Sequence, residues 1–145
     1  MKLVLDTNVV VAGMRSRTGA SAEILRAARA GKVVLLANVA LAVEYEEKCV
    51  TAEHRLAAGF SLEDAQVFLD ALIAMAEPVP TRFLWRPRLR DASDEMVLEA
   101  AVNGGADAIV TFNAGDFVGV PEDFGIDILR PAETLRRIKA RDERR

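Results

Sequence analysis

The chain has 145 residues, 51% of them hydrophobic, and a net charge of −3. That length suits one domain with one core, and that apolar content excludes a disordered protein. A mildly acidic chain is also not a simple nucleic-acid coat protein. The opening run Met1–Leu5 meets an acid at Asp6, so neither a signal peptide nor a spanning helix is expected. No other stretch approaches the roughly 18 apolar residues that would raise a membrane question. The lone Cys49 excludes an internal disulfide framework and a thiolate metal cage. A reducing, cytoplasmic setting follows as the expectation. Charge is uneven, because residues 130–145 carry seven bases and three acids, leaving −7 on the remainder. A basic C-terminal helix or tail over about 131–145 can meet phosphate or an acidic partner, or simply be solvated.

Short apolar runs alternate with helical periodicity, the pattern of parallel strands joined by crossover helices. Leu3-Val4-Leu5 reads as a buried strand ended by Asp6-Thr7-Asn8. Ser21 is placed to cap a helix running to about Ala30, with Gly31 as its stop. Val33–Leu36 reads as the second strand, and Asn38 opens a helix through about Ala52. Ser61, with Asp64 three residues on, starts a helix to about Met75. Pro78, Pro80 and Pro87 punctuate a stretch with room for one edge strand around Phe83-Leu84-Trp85. A helix begins near Asp94 and stops at Gly104-Gly105. Ala108–Thr111 and Ile126–Leu129 complete the sheet, and Pro131 starts the last helix. These elements predict one α/β domain over 1–145, a three-layer α/β/α sandwich around a mostly parallel sheet.

Ligands of open parallel sheets bind beyond the carboxyl ends of the strands. Asp6 directly follows the first strand, and Asp116 lies five residues past Thr111. Aspartate is also an ordinary turn residue there. Asp94 continues the apolar stripe of Val97, Leu98, Ala101 and Val102, so it points toward the interior edge. Burying an acid is costly unless it is paired or metal-bound. A first-turn acid also favours the helix dipole, worth ~0.3–1 kcal/mol. On a wheel of residues 39–50, Val39, Val43, Val50, Ala42, Cys49 and Tyr45 share an apolar arc that includes Glu46. Periodicity therefore singles out Glu46 and leaves Glu44 on the polar side with Glu47 and Lys48. His54 and Cys49 lack companion ligands and read as structural.

At these residues the chain resembles the PIN-domain family, most of all its small bacterial members related to VapC-like toxin components. Leu3–Val11, containing Asp6-Thr7-Asn8, is similar to the family's opening strand and signature. Leu41–Glu47, six residues past Asn38 at Glu44, resembles the second motif, and Arg90–Glu95 the third. Thr111–Phe117 is similar to the fourth, in which an Asn and an Asp follow a strand ending in Thr. The likeness spreads over about residues 1–135.

The resemblance implies an acidic quartet of Asp6, Glu44, Asp94 and Asp116, with Asp91 as the alternative to Asp94. Asp6, Asp94 and Asp116 would bind the metal directly or through water, Glu44 would orient a water, and Thr7, Asn8 and Asn113 would support them. Oxygen donors suit Mg²⁺ or Mn²⁺. The implied activity is a metal-dependent endoribonuclease that leaves a 5′-phosphate, of the toxin type within a toxin–antitoxin pair. RNA is then the substrate, a cognate antitoxin protein the partner, a homodimer the assembly, and no membrane is involved. Arg15, Arg17, Arg86 and Arg88, among aromatic and apolar neighbours, are candidates for RNA contact. Competing readings are a non-catalytic PIN-like RNA- or protein-binding module and a phosphatase-type site. The latter wants a second acid where Asn8 stands.

Overall fold

The computed structural model describes residues 1–81, 89 and 91–144. Five strands build the sheet: β1 (Lys2–Leu5), β2 (Val34–Ala37), β3 (Glu77–Pro78), β4 (Ala108–Val110) and β5 (Asp127–Leu129). Their order is β3-β2-β1-β4-β5, and every pairing is parallel. The register sets Leu3, Val4 and Leu5 against Ala108, Ile109 and Val110. All six are buried, so both faces of the central strands are covered. Consecutive strand residues point to opposite faces, which makes the domain the expected α/β/α sandwich and explains why its strands read as unbroken apolar runs. The predicted edge strand at 83–85 lies outside the described residues; among these, β3 takes one edge of the sheet and β5 the other.

Helices α1 (Thr7–Arg15) and α2 (Ala20–Arg29) lead from β1 to β2. The sequence reading stopped β1 at Asp6-Thr7-Asn8 and missed α1. Its Val9-Val10-Val11 run favours a strand locally, but Asp6 is an N-cap that accepts from Thr7 N. Tertiary burial of Val9, Val10 and Met14 then selects the helix. Gly13 permits the close approach of α1 and α2, since a Cβ there would stand 2.8 Å from Leu25 Cδ1. The cap of α2 is Gly19, and Ser21 is instead buried inside the helix. Gly31 does end it, with Gly31 N bonding Ala28 O at 3.0 Å and Lys32 N bonding Ala27 O at 2.9 Å, a double bond pattern that satisfies the last carbonyls.

The helix expected from Asn38 to Ala52 is two helices, α3 (Val39–Cys49) and α4 (Ala52–Ala58). Thr51 interrupts them by capping α4 through its hydroxyl. Helix α5 (Leu62–Met75) begins with the predicted Ser61/Asp64 capping box. Helix α6 (Ala92–Gly104) packs against β1, β2 and β4. A 3-10 turn (Ala114–Phe117), α7 (Val120–Phe124) and α8 (Pro131–Glu143) complete the order. Basic α8 packs on α2 through its buried Ile138, and Arg137 is already paired with Asp127 at 2.9 Å. No described helix is long and apolar enough to cross a membrane.

Candidate active site

Strand order reverses between β1 and β4, because the chain leaves β1 for β2 on one side and returns to β4 on the other. A crevice opens at such a switch point, beyond the carboxyl ends of the two strands. Asp6 sits there. Its backbone N–H continues the ladder to Val110 O at 2.9 Å, and its side chain turns into the crevice mouth. Thr111, the next residue after β4 and fully buried, donates from Oγ1 to Asp6 Oδ2 at 2.7 Å. Thr7 N donates to Asp6 Oδ1 at 2.9 Å. Both oxygens are thus aimed by the two strand ends.

Glu44 comes from the middle of α3 and accepts from Thr7 Oγ1 at 2.7 Å. Its neighbour Tyr45 is buried, and its phenol donates to the carbonyl of Leu5, the residue before Asp6. Burial foremost, and then the charges of Asp6 and Glu44, push the Tyr45 phenol well above its usual range. It therefore stays a donor. The predicted apolar arc of α3 is corrected here. The buried stripe is Leu41, Tyr45 and Cys49 alone, while Val39 and Val43 are exposed at 80% and 49%. Glu46 lies on the exposed side, and Glu44 is the half-buried acid. Valines exposed at the carboxyl edge of the sheet misled the wheel.

Asn38 caps α3 through Leu41 N at 2.8 Å and donates from Nδ2 to Met96 O at 3.1 Å, which ties α3 to α6. Asp91 caps α6 by accepting from Ser93 N at 2.9 Å, and Asp94 follows in the first turn, half-buried. Asp91 thus has helix-capping work of its own, whereas Asp94 has a different environment. Burial foremost, then the charges of Asp116, Asp6, Asp91 and Glu44, raise the Asp94 carboxyl from its usual 3.8 to about 7. Asp6 is raised too, by burial first, against the lowering effect of its bonds from Thr111 and Thr7. Asp116 is held on the 3-10 turn by its N–H to Asn113 O at 3.0 Å, above the buried ring of Phe117. Asn113 in turn bonds Thr111 Oγ1 through its N–H at 3.0 Å.

Asp6, Glu44, Asp94 and Asp116 all line one open cleft of about 710 Å³, together with Thr7, Asn8 and Asn113. Four elements separated widely in sequence deliver one acid each. Arg15 also lines this cleft, whereas Arg17 lines a second depression of about 290 Å³ between α2 and α5. Arg86 and Arg88 lie outside the described residues. Two buried acids that the sequence reading did not single out, Glu95 and Glu99, sit deeper on α6, and Glu95 accepts from Leu89 N. Their i, i+4 spacing on a buried face was the available signal. Lys48 and His54, read as solvated and structural, also stand in the cleft wall.

Whether this set suits a cation can be judged from its donors. Every candidate is an oxygen, the acids raise one another's proton affinity, and among the described residues the buried Oδ1 of Asn8 has no hydrogen-bond partner. A positive charge would relieve both the repulsion and the unpaired oxygen. No three acids among the described residues form a ready cage.

An all-parallel α/β sandwich with acids from four elements at its switch point defines an acidic-cleft domain of one recognisable kind. The family model for the PIN domain matches residues 2–115, and the chain belongs to the PIN domain family. Its fold is also similar to a chain of the crystal structure of VapBC2 from Rickettsia felis bound to a DNA fragment from their promoter. The TM-score is 0.63 at 14% identity, over 90% of this chain and 98% of that one. At that identity the likeness is one of fold. No curated protein matches the chain.

Proposed function

We propose that the protein is a metal-dependent endoribonuclease, and that it acts as the toxin-type component of a toxin–antitoxin pair. The observation that carries this reading is the convergence of Asp6, Glu44, Asp94 and Asp116 on one cleft at the β1/β4 switch point. Membership of the PIN family supports nuclease chemistry, and the fold of the VapBC2 chain supports an antitoxin partner.

In this reading Asp6, Asp94 and Asp116 hold Mg²⁺ or Mn²⁺, directly or through water. The bound cation supplies an activated water at neutral pH and offsets charge on the phosphoryl oxygens. Thr111 and Thr7 fix the direction of the Asp6 oxygens, and Thr7 fixes Glu44 in the same way. Glu44 then orients the attacking water, while Asn8 and Asn113 offer further polar contacts at the cleft. No nucleophilic side chain is required. RNA is the substrate, and the buried Cys49 thiol suits a reducing cytoplasm. Exposed Val39 and Val43, one turn apart on α3, favour self-association, most simply as a twofold dimer.

The test is incubation of purified protein with single-stranded RNA in Mg²⁺ or Mn²⁺. Cleavage that leaves 5′-phosphate ends and stops with EDTA supports the reading. RNA left intact in both metals removes it.

A further inference from the structure

The cleft has a second pole. Along α1, Asn8, Val11, Ala12 and Arg15 recur at i, i+3, i+4 and i+7, and all four line the cleft. One face of α1 therefore runs from the acids to a guanidinium, a rise of ~10 Å at 1.5 Å per residue. Helix α3 repeats the pattern, with Lys48 one turn (~6 Å) beyond Glu44 on the same face. From α4, His54 completes the wall, and Arg15 Nη1 stands 3.3 Å from His54 Nδ1. Arginine only donates, so Nδ1 is the acceptor in this contact. The remaining guanidinium donors are left for a ligand.

Arg15 and Lys48 each lie in the last turn of a helix, where a cation balances the helix dipole. Dipole balance does not require that two helix ends and an imidazole from a third helix meet on one wall. Among the described residues neither Arg15 nor Lys48 makes an ion pair. Their charge is available.

We infer that Arg15, Lys48 and His54 form a phosphate subsite, which holds a neighbouring phosphodiester of a single-stranded RNA whose scissile phosphate lies at the acids. Val11 and Ala12 form the apolar floor between the poles, against which a ribose or base rests. This inference rests on the ribonuclease reading and adds to it a minimum length. A substrate with one phosphodiester fills only the acid pole.

The experiment uses hydrolysis-resistant phosphorothioate RNA in Mg²⁺ buffer, a dinucleotide and a tetranucleotide, bound to the full chain across a salt series. The parent should prefer the tetranucleotide by about tenfold. Each phosphate neutralised contributes ~0.7 to the log–log salt slope for single strands, so the Arg15→Ala/Lys48→Ala variant, which gives up the one phosphate of the subsite, should lose about 0.7 and with it the length preference. Lys48→Gln alone, at an exposed position, should lose about half as much slope and covers the case of a misfolded double variant. Preference and slope retained by Lys48→Gln and the double variant, with thermal melts like the parent's, overturn the subsite. Cleavage in Mg²⁺ is scored separately on ordinary RNA. A parent that binds with this signature yet never cleaves keeps the subsite and removes the ribonuclease reading.

Discussion

Thr111 and Asp6, 105 residues apart, are joined by a 2.7 Å hydrogen bond across the carboxyl ends of β1 and β4. The hydroxyl is fully buried, and the carboxylate is only 9% exposed. The bond favours the ionised form of an acid that burial otherwise pushes toward protonation. Thr111→Val keeps the shape and removes the donor. Leaving a buried acceptor short of its partner costs about 1–3 kcal/mol, and Asn113 N loses its acceptor as well. Denaturant melts near neutrality should show that loss, with Thr111→Ser restoring most of it. The deficit should shrink as pH falls through the Asp6 folded pKa, because the protonated acid no longer needs the donor.

Asp94 gives the protein a pH dependence of opposite sign. A folded carboxyl at about 7 against an unfolded 3.8 binds its proton more tightly when folded. Its stabilising contribution is therefore complete below 3.8 and is lost as pH rises through about 7. Asparagine mimics the protonated form. In EDTA, Asp94→Asn and the parent should melt together near the lower value and separate above the upper one, with the variant higher. Added Mg²⁺ should raise the parent's melting temperature by binding the native state and should move the variant much less. A variant that melts below the parent in EDTA would make Asp94 a structural first-turn acid.

Packing beneath the site makes a prediction independent of chemistry. A Cβ on Gly104 would stand 2.8 Å from Leu36 Cδ1 and 2.9 Å from Val79 Cγ2. Overpacking of this kind costs about 1–3 kcal/mol. Gly104→Ala should lower the unfolding free energy measured in urea by that amount, whereas Gly115→Ala, with nothing near its Cβ and no positive φ, should leave it almost unmoved.

Much of this architecture was legible because its signals are local. Continuous apolar runs marked β1, β2 and β4, the Ile126-Asp127-Ile128-Leu129 stretch marked β5, and Ser61/Asp64, Gly31 and Gly104-Gly105 marked helix ends through backbone chemistry that needs no partner. Helix α1 was not legible, since Val9-Val10-Val11 favours a strand until tertiary burial decides. Asp6, Asp94 and Asp116 stood out as candidates by their places after strands or on a buried stripe, each beside an ordinary reading as a turn or first-turn acid. Glu44 did not, because the valines of α3 that define its apolar arc are exposed, and only family resemblance pointed to it. Lys48 was read as solvated beside Glu44 on the same wheel, and His54 as structural because the sequence offers it no companion ligand. Their meeting with Arg15 depends on the break at Thr51, which turns α4 back toward α1.

The most direct test of the central reading replaces the acids themselves. Asp6→Asn and Asp94→Asn each remove one charge from the cleft while keeping side-chain size, and circular dichroism should show both variants folded. Cleavage of single-stranded RNA in Mg²⁺ should fall by at least ~10-fold in each, equivalent to ~1.4 kcal/mol of transition-state stabilisation. EDTA should abolish what the parent does. Cleavage undiminished in both folded variants would contradict the account, because the activity would then belong to something other than this cleft.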